Sequence, residues 1–134
     1  MALLSRSGIS SPEILLASTA RTVNTVTGVV NLMDCTGVSL VLNITAASGT
    51  GGLRIQYALV DPIDKTTYEW SYILGTAKTS TGLIVASIAP GVRDDNTHFV
   101  HPTIAKPMNG FAKFAVIHSD ASSYTYQLAM IRLP

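Results

Sequence analysis

The stretch VSLVLNITAASGTGGLRIQYAL, residues 38–59, contains two apolar runs separated by a cluster of glycines. In each run every second residue is large and apolar. A two-residue period is typical of a β-strand that buries one face and exposes the other. The stretch therefore predicts two strands, whose buried faces are formed by Val38, Leu40, Leu42 and Ile44 in the first and by Leu53, Ile55, Tyr57 and Leu59 in the second.

The glycine cluster between the runs, SGTGG at 48–52, raises the alternative of a phosphate-binding loop. Such a loop needs a helix after the glycines, so that the N–H groups of its first turn face the phosphate. Here a strand pattern follows, and the Gly-Lys-Ser/Thr ending of a P-loop is missing. The cluster is therefore interpreted as a hairpin or loop between two strands, in which glycine supplies a positive φ.

Similar patterns recur along the rest of the chain. Aromatic residues alternate in TYEWSYIL (67–74), which follows the turn-forming DPIDK and predicts a second hairpin. GLIVASIAPG (82–91) predicts a short apolar strand ended by Pro90 and Gly91, and the last 24 residues predict two strands around an Asp-Ala-Ser-Ser turn. In the last predicted strand, one face is formed by Tyr124, Tyr126, Leu128 and Met130. Near the N-terminus, threonine and valine favour one or two strands, with a short helix over 14–20 as the alternative.

About seven to eight strands without a clear helix indicate an all-β fold. We expect a single antiparallel β-sandwich, jelly-roll-like or Ig-like, over residues 13–134, with a flattened barrel as the alternative architecture. Residues 1–12 are interpreted as an extended N-terminal arm, with a disordered terminus as the other interpretation. The longest stretch without a period, residues 91–110, is expected to be a functional or contact-forming loop.

Composition narrows the function classes. Of 134 residues, 47% are hydrophobic and 13% charged, with a formal net charge of +1, so no charge bias towards nucleic acid or membranes is visible. No membrane-span pattern or secretion leader is recognised. The sparse charge favours a homo-oligomer or a larger assembly. Cys35 is the only cysteine, which excludes an intrachain disulfide.

The sequence contains no strong candidate for a metal-binding or catalytic site. His98 and His101 lie near Asp94 and Asp95, but a His-x-x-His pair on an irregular loop lacks the fixed geometry of a metal site. We interpret these side chains as solvated or interface groups. No Gly-x-Ser-x-Gly elbow occurs, and the spacing selects no pair of catalytic carboxylates. We therefore expect no enzyme, no cofactor and no metal.

The aromatic residues have two interpretations. Trp70 with Tyr68 and Tyr72 could form a platform for sugar binding, since aromatic rings stack on apolar sugar faces. Because all three follow the period of the predicted core, core packing is preferred. The predicted aromatic core layer contains Tyr57, Trp70 and Tyr126.

The order of segments resembles that of small structural proteins of tailed bacteriophages, from Ala20 to Leu133. The resemblance lies in ARTVNTVTG (20–28), residues 37–70, IAPGV (88–92) and FAVIHSDASSYTYQLAMIRL (114–133). In that family the turn after Asp-Pro contains Gly-Lys-Tyr-Tyr. Here Asp64 replaces the glycine and Thr67 the first tyrosine, a change of little consequence for a turn.

This resemblance implies a virion component made in the host cytoplasm, with a capsid decoration or cement protein on the capsid surface favoured over a minor head or tail protein. Its partners are then the major capsid protein or other virion subunits, and a trimer is the favoured oligomer. A carbohydrate- or receptor-binding β-sandwich of a phage tail is the alternative. The expected assembly contacts are Leu3, Leu4, Ile9, Pro12, Arg93, His98, Phe99 and His101.

Overall fold

The structure is a computed structural model that describes residues 11–98, 100–108 and 110–134, and these residues form ten β-strands and no helix. The all-β prediction is confirmed. Three of the strands are only two residues long, which explains why the sequence pattern gave a lower count. The strands are β1 (Glu13–Arg21), β2 (Thr25–Val26), β3 (Val30–Asn31), β4 (Gly37–Ala47), β5 (Leu53–Val60), β6 (Ser71–Lys78), β7 (Gly82–Ile88), β8 (Thr103–Ile104), β9 (Phe111–His118) and β10 (Tyr124–Leu133).

The strands form two sheets packed together as a β-sandwich. The first sheet has the order β1-β10-β4-β7-β8, and the second has the order β2-β9-β5-β6, with β3 also pairing with β9. All pairs are antiparallel except β7 with β8. The two strands of the opening stretch, β4 and β5, each lie between two partners, so this stretch supplies an interior strand to each sheet.

The core lies between the sheets and follows the predicted period closely. The four alternating residues of β4 and the four of β10 are almost completely buried. In β5 the alternation holds to Tyr57 and then fails, because Leu59 at the strand's end is 45% exposed whereas Ala58 and Val60 are buried. The large side chains that are fully buried include Tyr124, Tyr126, Phe114, Leu32, Leu40, Leu42, Ile44, Leu53, Ile55, Ile73, Leu74 and Ile84.

The glycine cluster joins strands of different sheets, so of the two predicted alternatives the loop is confirmed and the hairpin is wrong. Gly52 has a φ of 83°, and its N–H donates to the hydroxyl of Tyr124 at 2.8 Å. The N–H of Gly51 donates to Asp120 at 2.8 Å. A Cβ on Gly49 would lie 2.4 Å from the side chain of Ser122. Glycine is needed here because the loop packs directly against the turn at 119–123.

The N-terminal segment 14–20 is a strand and not the alternative short helix. It belongs to β1, which pairs antiparallel with β10 from Glu13↔Met130 to Arg21↔Tyr124. The pairing has two irregularities, one between Ile14 and Leu16 and one between Leu16 and Thr19. The interrupted register explains the weak two-residue period of this segment.

The predicted aromatic strand 68–74 is wrong in its start and in its buried face. The strand β6 begins at Ser71, so Trp70 precedes it and is only partly buried, and Tyr68 is exposed. Pairing with β5 shifts between Ile55↔Leu74 and Gln56↔Tyr72. This bulge breaks the two-residue alternation. As a result Ile73 and Leu74 are both buried. Of the predicted aromatic core layer, Tyr57 and Tyr126 are buried and Trp70 is not part of the core.

Candidate assembly contacts

Half of the eight expected contact residues lie in the described part of the chain. Leu3, Leu4, Ile9 and Phe99 lie outside the described residues. Pro12 is exposed directly before β1. The remaining three are exposed on the loop that follows β7, namely Arg93, His98 and His101.

This loop, residues 91–110, is tied to the sandwich at many points. It contains β8, and its carbonyl groups accept two hydrogen bonds from β7 and one from the residue that follows β7. These are Val85 N–H to Val100 O at 3.0 Å, Ser87 N–H to Pro102 O at 3.0 Å, and Ala89 N–H to Ile104 O at 3.1 Å. The N–H of Gly75 in β6 donates to Asn96 O at 2.7 Å. The loop therefore contacts the outer side of both β7 and β6. These contacts occupy backbone groups at two sheet edges that could otherwise pair with another chain.

The polar side chains of the loop largely bond to the loop itself. Asp95 Oδ1 accepts from the hydroxyl of Thr97 at 2.9 Å and from its N–H at 3.1 Å, and these bonds lower the pKa of Asp95. Asp94 accepts from the N–H of Ala105 at 3.0 Å. The N–H of His101 donates to His98 Nδ1 at 2.9 Å. The loop is thus held in one shape that turns its exposed side chains outward.

The two aspartates and two histidines do not assemble a metal centre in the described part of the chain, where no group of three or more His, Cys, Asp or Glu side chains is placed to hold an ion. The aspartate that opens the turn after β5 is likewise engaged in local hydrogen bonds. Asp61 accepts from the N–H groups of Ile63 and Asp64 and from the hydroxyl of Tyr68, and these bonds lower the pKa of Asp61.

An apolar cleft of about 250 Å³, which the sequence analysis missed, opens where β5 ends and β9 begins. Three of its apolar side chains are substantially exposed: Met33 at 64%, Tyr68 at 52% and Leu59 at 45%. No sequence signal marks it, because its residues come from four separate segments that only the fold brings together. The cleft is lined by Met33, Leu59, Val60, Pro62, Tyr68, Pro107, Gly110 and Phe111.

Next to this cleft, Arg132 connects the start of β1 to the segment after β3. Its guanidinium bonds Glu13 at 2.6 and 3.1 Å, and it bonds Asp34 at 2.9 Å and the carbonyl of Asn31 at 2.6 Å. Met33 lies beside these groups in a shallow pocket that Asn31, Asp34 and Arg132 also line. Met33 therefore borders both the ion-pair cluster and the apolar cleft.

A second set of polar groups lies inside the opposite part of the sandwich. The hydroxyl of Tyr126 is 2.9 Å from His118 Nε2 and 3.2 Å from Thr25 Oγ1. Arg21 stacks over the Tyr126 ring at 4.7 Å and donates to its backbone carbonyl. Burial lowers the pKa of His118 and raises that of Tyr126. These bonds join β2, β9 and β10 across the two sheets, so we assign the set a structural role.

No protein-family model, curated protein or solved structure matches this chain. In the portion of the chain that the structure describes, no helix has the length and hydropathy needed to cross a membrane. The fold and its surface define the chain as an all-β sandwich. The loop 91–110, called the braced loop because hydrogen bonds fix it against β6 and β7, lies on one side, and the apolar cleft lies at one end.

Proposed function

We propose that this protein is a structural component of a tailed-phage virion, a capsid decoration or cement protein that bridges capsid subunits. The observation that supports it best is the braced loop, which presents Arg93, His98 and His101 on a backbone already fixed by hydrogen bonds. A contact surface that is ordered before binding loses less conformational entropy when it binds. The resemblance in segment order to phage structural proteins supplies the class of partner.

Repetition makes such a contact effective even when each copy binds weakly. A protein that binds the assembled shell and not its free subunits stabilises the shell by mass action. When one molecule contacts two subunits, the second contact forms at a high effective concentration. The N-terminal residues 1–12 and the loop 91–110 are the two contacts of this proposal, and a trimer at threefold positions is its symmetry.

A second candidate function, carbohydrate or receptor binding by a phage tail protein, is favoured by one specific observation. Tyr68 is exposed and Trp70 is only partly buried, so both rings have surface that is accessible to a ligand. The hydroxyl of Tyr68 donates to Asp61 at 2.9 Å, which holds the ring in place on the surface. Fixed surface aromatics of this kind stack on the apolar faces of sugars.

The two functions are separated by comparing particles that carry the full-length protein, a variant with Arg93, His98 and His101 changed to alanine, and no protein. The virion proposal predicts that the triple variant has lower occupancy on particles, and that particles without the protein lose their contents at a lower temperature. The exposed Thr76 on β6, changed to alanine, is the control and should leave occupancy unchanged.

The virion proposal fails if the full-length protein is absent from particles, or if its removal changes neither capsid stability nor tail integrity. In the same preparations, binding to a glycan array that is lost on Tyr68→Ala and kept in the triple loop variant supports the second function instead.

A further inference from the structure

The apolar cleft at the end of β5 is a surface that water solvates poorly. Single exposed apolar side chains are ordinary on proteins, but convergence of several into one concave site marks an interaction surface. Here Met33, Leu59 and Tyr68 are each about half exposed or more, and they surround the nearly buried Val60 and the partly buried Phe111. An apolar partner that filled the cleft would remove these side chains from water.

The strand β1 begins near this cleft. Glu13, the first residue of β1, is held by two bonds to Arg132. Arg132 also bonds Asp34, the neighbour of Met33 in sequence, and Met33 lines the cleft. The chain that precedes Glu13 is therefore anchored next to one wall of the cleft.

The preceding segment, MALLSRSGIS at residues 1–10, has the chemistry and the length to fill the cleft. Leu3, Leu4 and Ile9 are its large apolar side chains besides Met1, and it carries only one charged side chain, Arg6. At roughly 3.3–3.6 Å per residue, ten residues span at most about 35 Å. A segment tethered this closely meets its own cleft at an effective concentration in the millimolar range, which favours its own molecule over a second copy.

We propose that residues 1–10 dock in the apolar cleft of their own chain, with side chains among Leu3, Leu4 and Ile9 covering Met33, Leu59 and Tyr68. This contact belongs to the free protein and does not depend on the virion function, which can fail without affecting it.

The side-chain methyl group of Met33 reports on the cleft in a ¹H–¹³C NMR spectrum of methyl-labelled methionine. The proposal predicts that deleting residues 2–10 shifts the Met33 signal, whereas the signals of the buried Met108 and Met130 stay in place. In the full-length protein the Met33 signal should not change with protein concentration. A synthetic peptide of residues 1–10, added to the shortened protein, should return the signal towards its full-length position.

Variants test whether the apolar side chains of residues 1–10 and of the cleft are responsible for the binding. Changing Leu3, Leu4 and Ile9 to serine should shift the Met33 signal as the deletion does, and changing Ser5 and Ser7 to alanine should not. Leu59→Gln in the shortened protein should weaken binding of the fluorescein-labelled peptide about tenfold, because a leucine-sized apolar contact is lost. Leu83→Gln is the matched control, since Leu83 is 54% exposed on β7.

Three results overturn the proposal. Identical Met33 signals in the full-length and shortened proteins show that the segment does not reach the cleft. A Met33 shift that grows with protein concentration shows that the segment enters a second copy instead. Equal peptide affinity for Leu59→Gln and Leu83→Gln places the peptide elsewhere, and Tyr68→Ser gives the same comparison if Leu59→Gln does not fold.

Discussion

Replacing Gly52 by alanine tests whether the loop between β4 and β5 needs a glycine where it passes close to the end of β6. Gly52 has a φ of 83°, a region that residues with a side chain rarely adopt. An added Cβ would lie 2.6 Å from the carbonyl oxygen of Lys78. Lys78 pairs with Leu53 in the first step of the β5–β6 ladder. Because the oxygen belongs to backbone, relief requires movement of a strand and not of a flexible side chain.

The expected cost follows from three contributions. The left-handed backbone costs an alanine about 1–2 kcal/mol. Alanine keeps the backbone N–H, but movement of the loop away from Lys78 would lengthen its hydrogen bond to the buried Tyr124, at a cost of about 1 kcal/mol. Displacing the end of the β5–β6 pairing is expected to cost about 1 kcal/mol more, as overpacking does elsewhere. We therefore expect Gly52→Ala to lower the free energy of unfolding by about 3–4 kcal/mol.

The measurement is equilibrium urea unfolding, followed by far-ultraviolet circular dichroism. With an m-value of about 1.5 kcal/mol/M, the expected loss lowers the midpoint by roughly 2 M. Gly91→Ala is the matched control, because Gly91 has a φ of 82° and an added Cβ would meet nothing within 4 Å. It should lose only the backbone contribution of about 1–2 kcal/mol.

The difference between the two variants therefore isolates the contact with Lys78 and the bond to Tyr124. If Gly52→Ala loses no more stability than Gly91→Ala, the close approach of this loop to Lys78 and Tyr124 is not a constraint, and the reasoning is refuted.

Three further predictions concern the core and its polar groups. Phe114→Ala should cost about 3–5 kcal/mol in urea unfolding, whereas Trp70→Ala should cost below about 2 kcal/mol, because Trp70 lies outside the core. An equal loss in both would contradict the placement of Trp70. Tyr126→Phe should cost about 1–3 kcal/mol by the same assay, since a buried hydroxyl with two partners is removed; no loss would show that these bonds contribute nothing. Burial lowers the pKa of His118 in the folded state, so the unfolded chain binds its proton first as pH falls. Stability should be complete above the unfolded pKa of about 6.5 and should decrease as pH falls below it towards the folded pKa. Urea midpoints at about pH 7.5 and about pH 5.5 check this. His118→Gln should reduce the difference between the two midpoints, and an unchanged difference would refute the reasoning.

Much of the fold could be predicted from local patterns. The alternation in β4 and β10 identified their buried faces correctly, because a strand's side chains point to opposite faces in strict succession whatever its partners are. The turn residues after β5 and β7 also marked strand ends correctly. Where the pairing is interrupted, as by the bulge opposite Ile55, the two-residue alternation does not continue along the strand. For this reason the alternation wrongly predicts that Trp70 belongs to the core.

The candidate site was harder to predict. The exposed loop residues Arg93 and His101 could be selected from the lack of periodicity, but the hydrogen bonds that fix the loop against β6 and β7 could not. No pattern in the sequence predicts the apolar cleft. Met33, Leu59 and Phe111 look like ordinary apolar residues in three different segments, and only the fold brings them together around one cleft.

The sequence by itself determined that this chain forms strands and which faces of β4, β10 and the first half of β5 are buried, because these properties depend on residues that are near one another in the chain. Only the tertiary structure decided which strands share a sheet, why Gly52 must be glycine, and where the apolar cleft opens. Those features depend on contacts between distant segments, such as β1 with β10 and the glycine loop with the turn at 119–123. No local period encodes such contacts, since they depend on how complementary surfaces pack once the strands have formed.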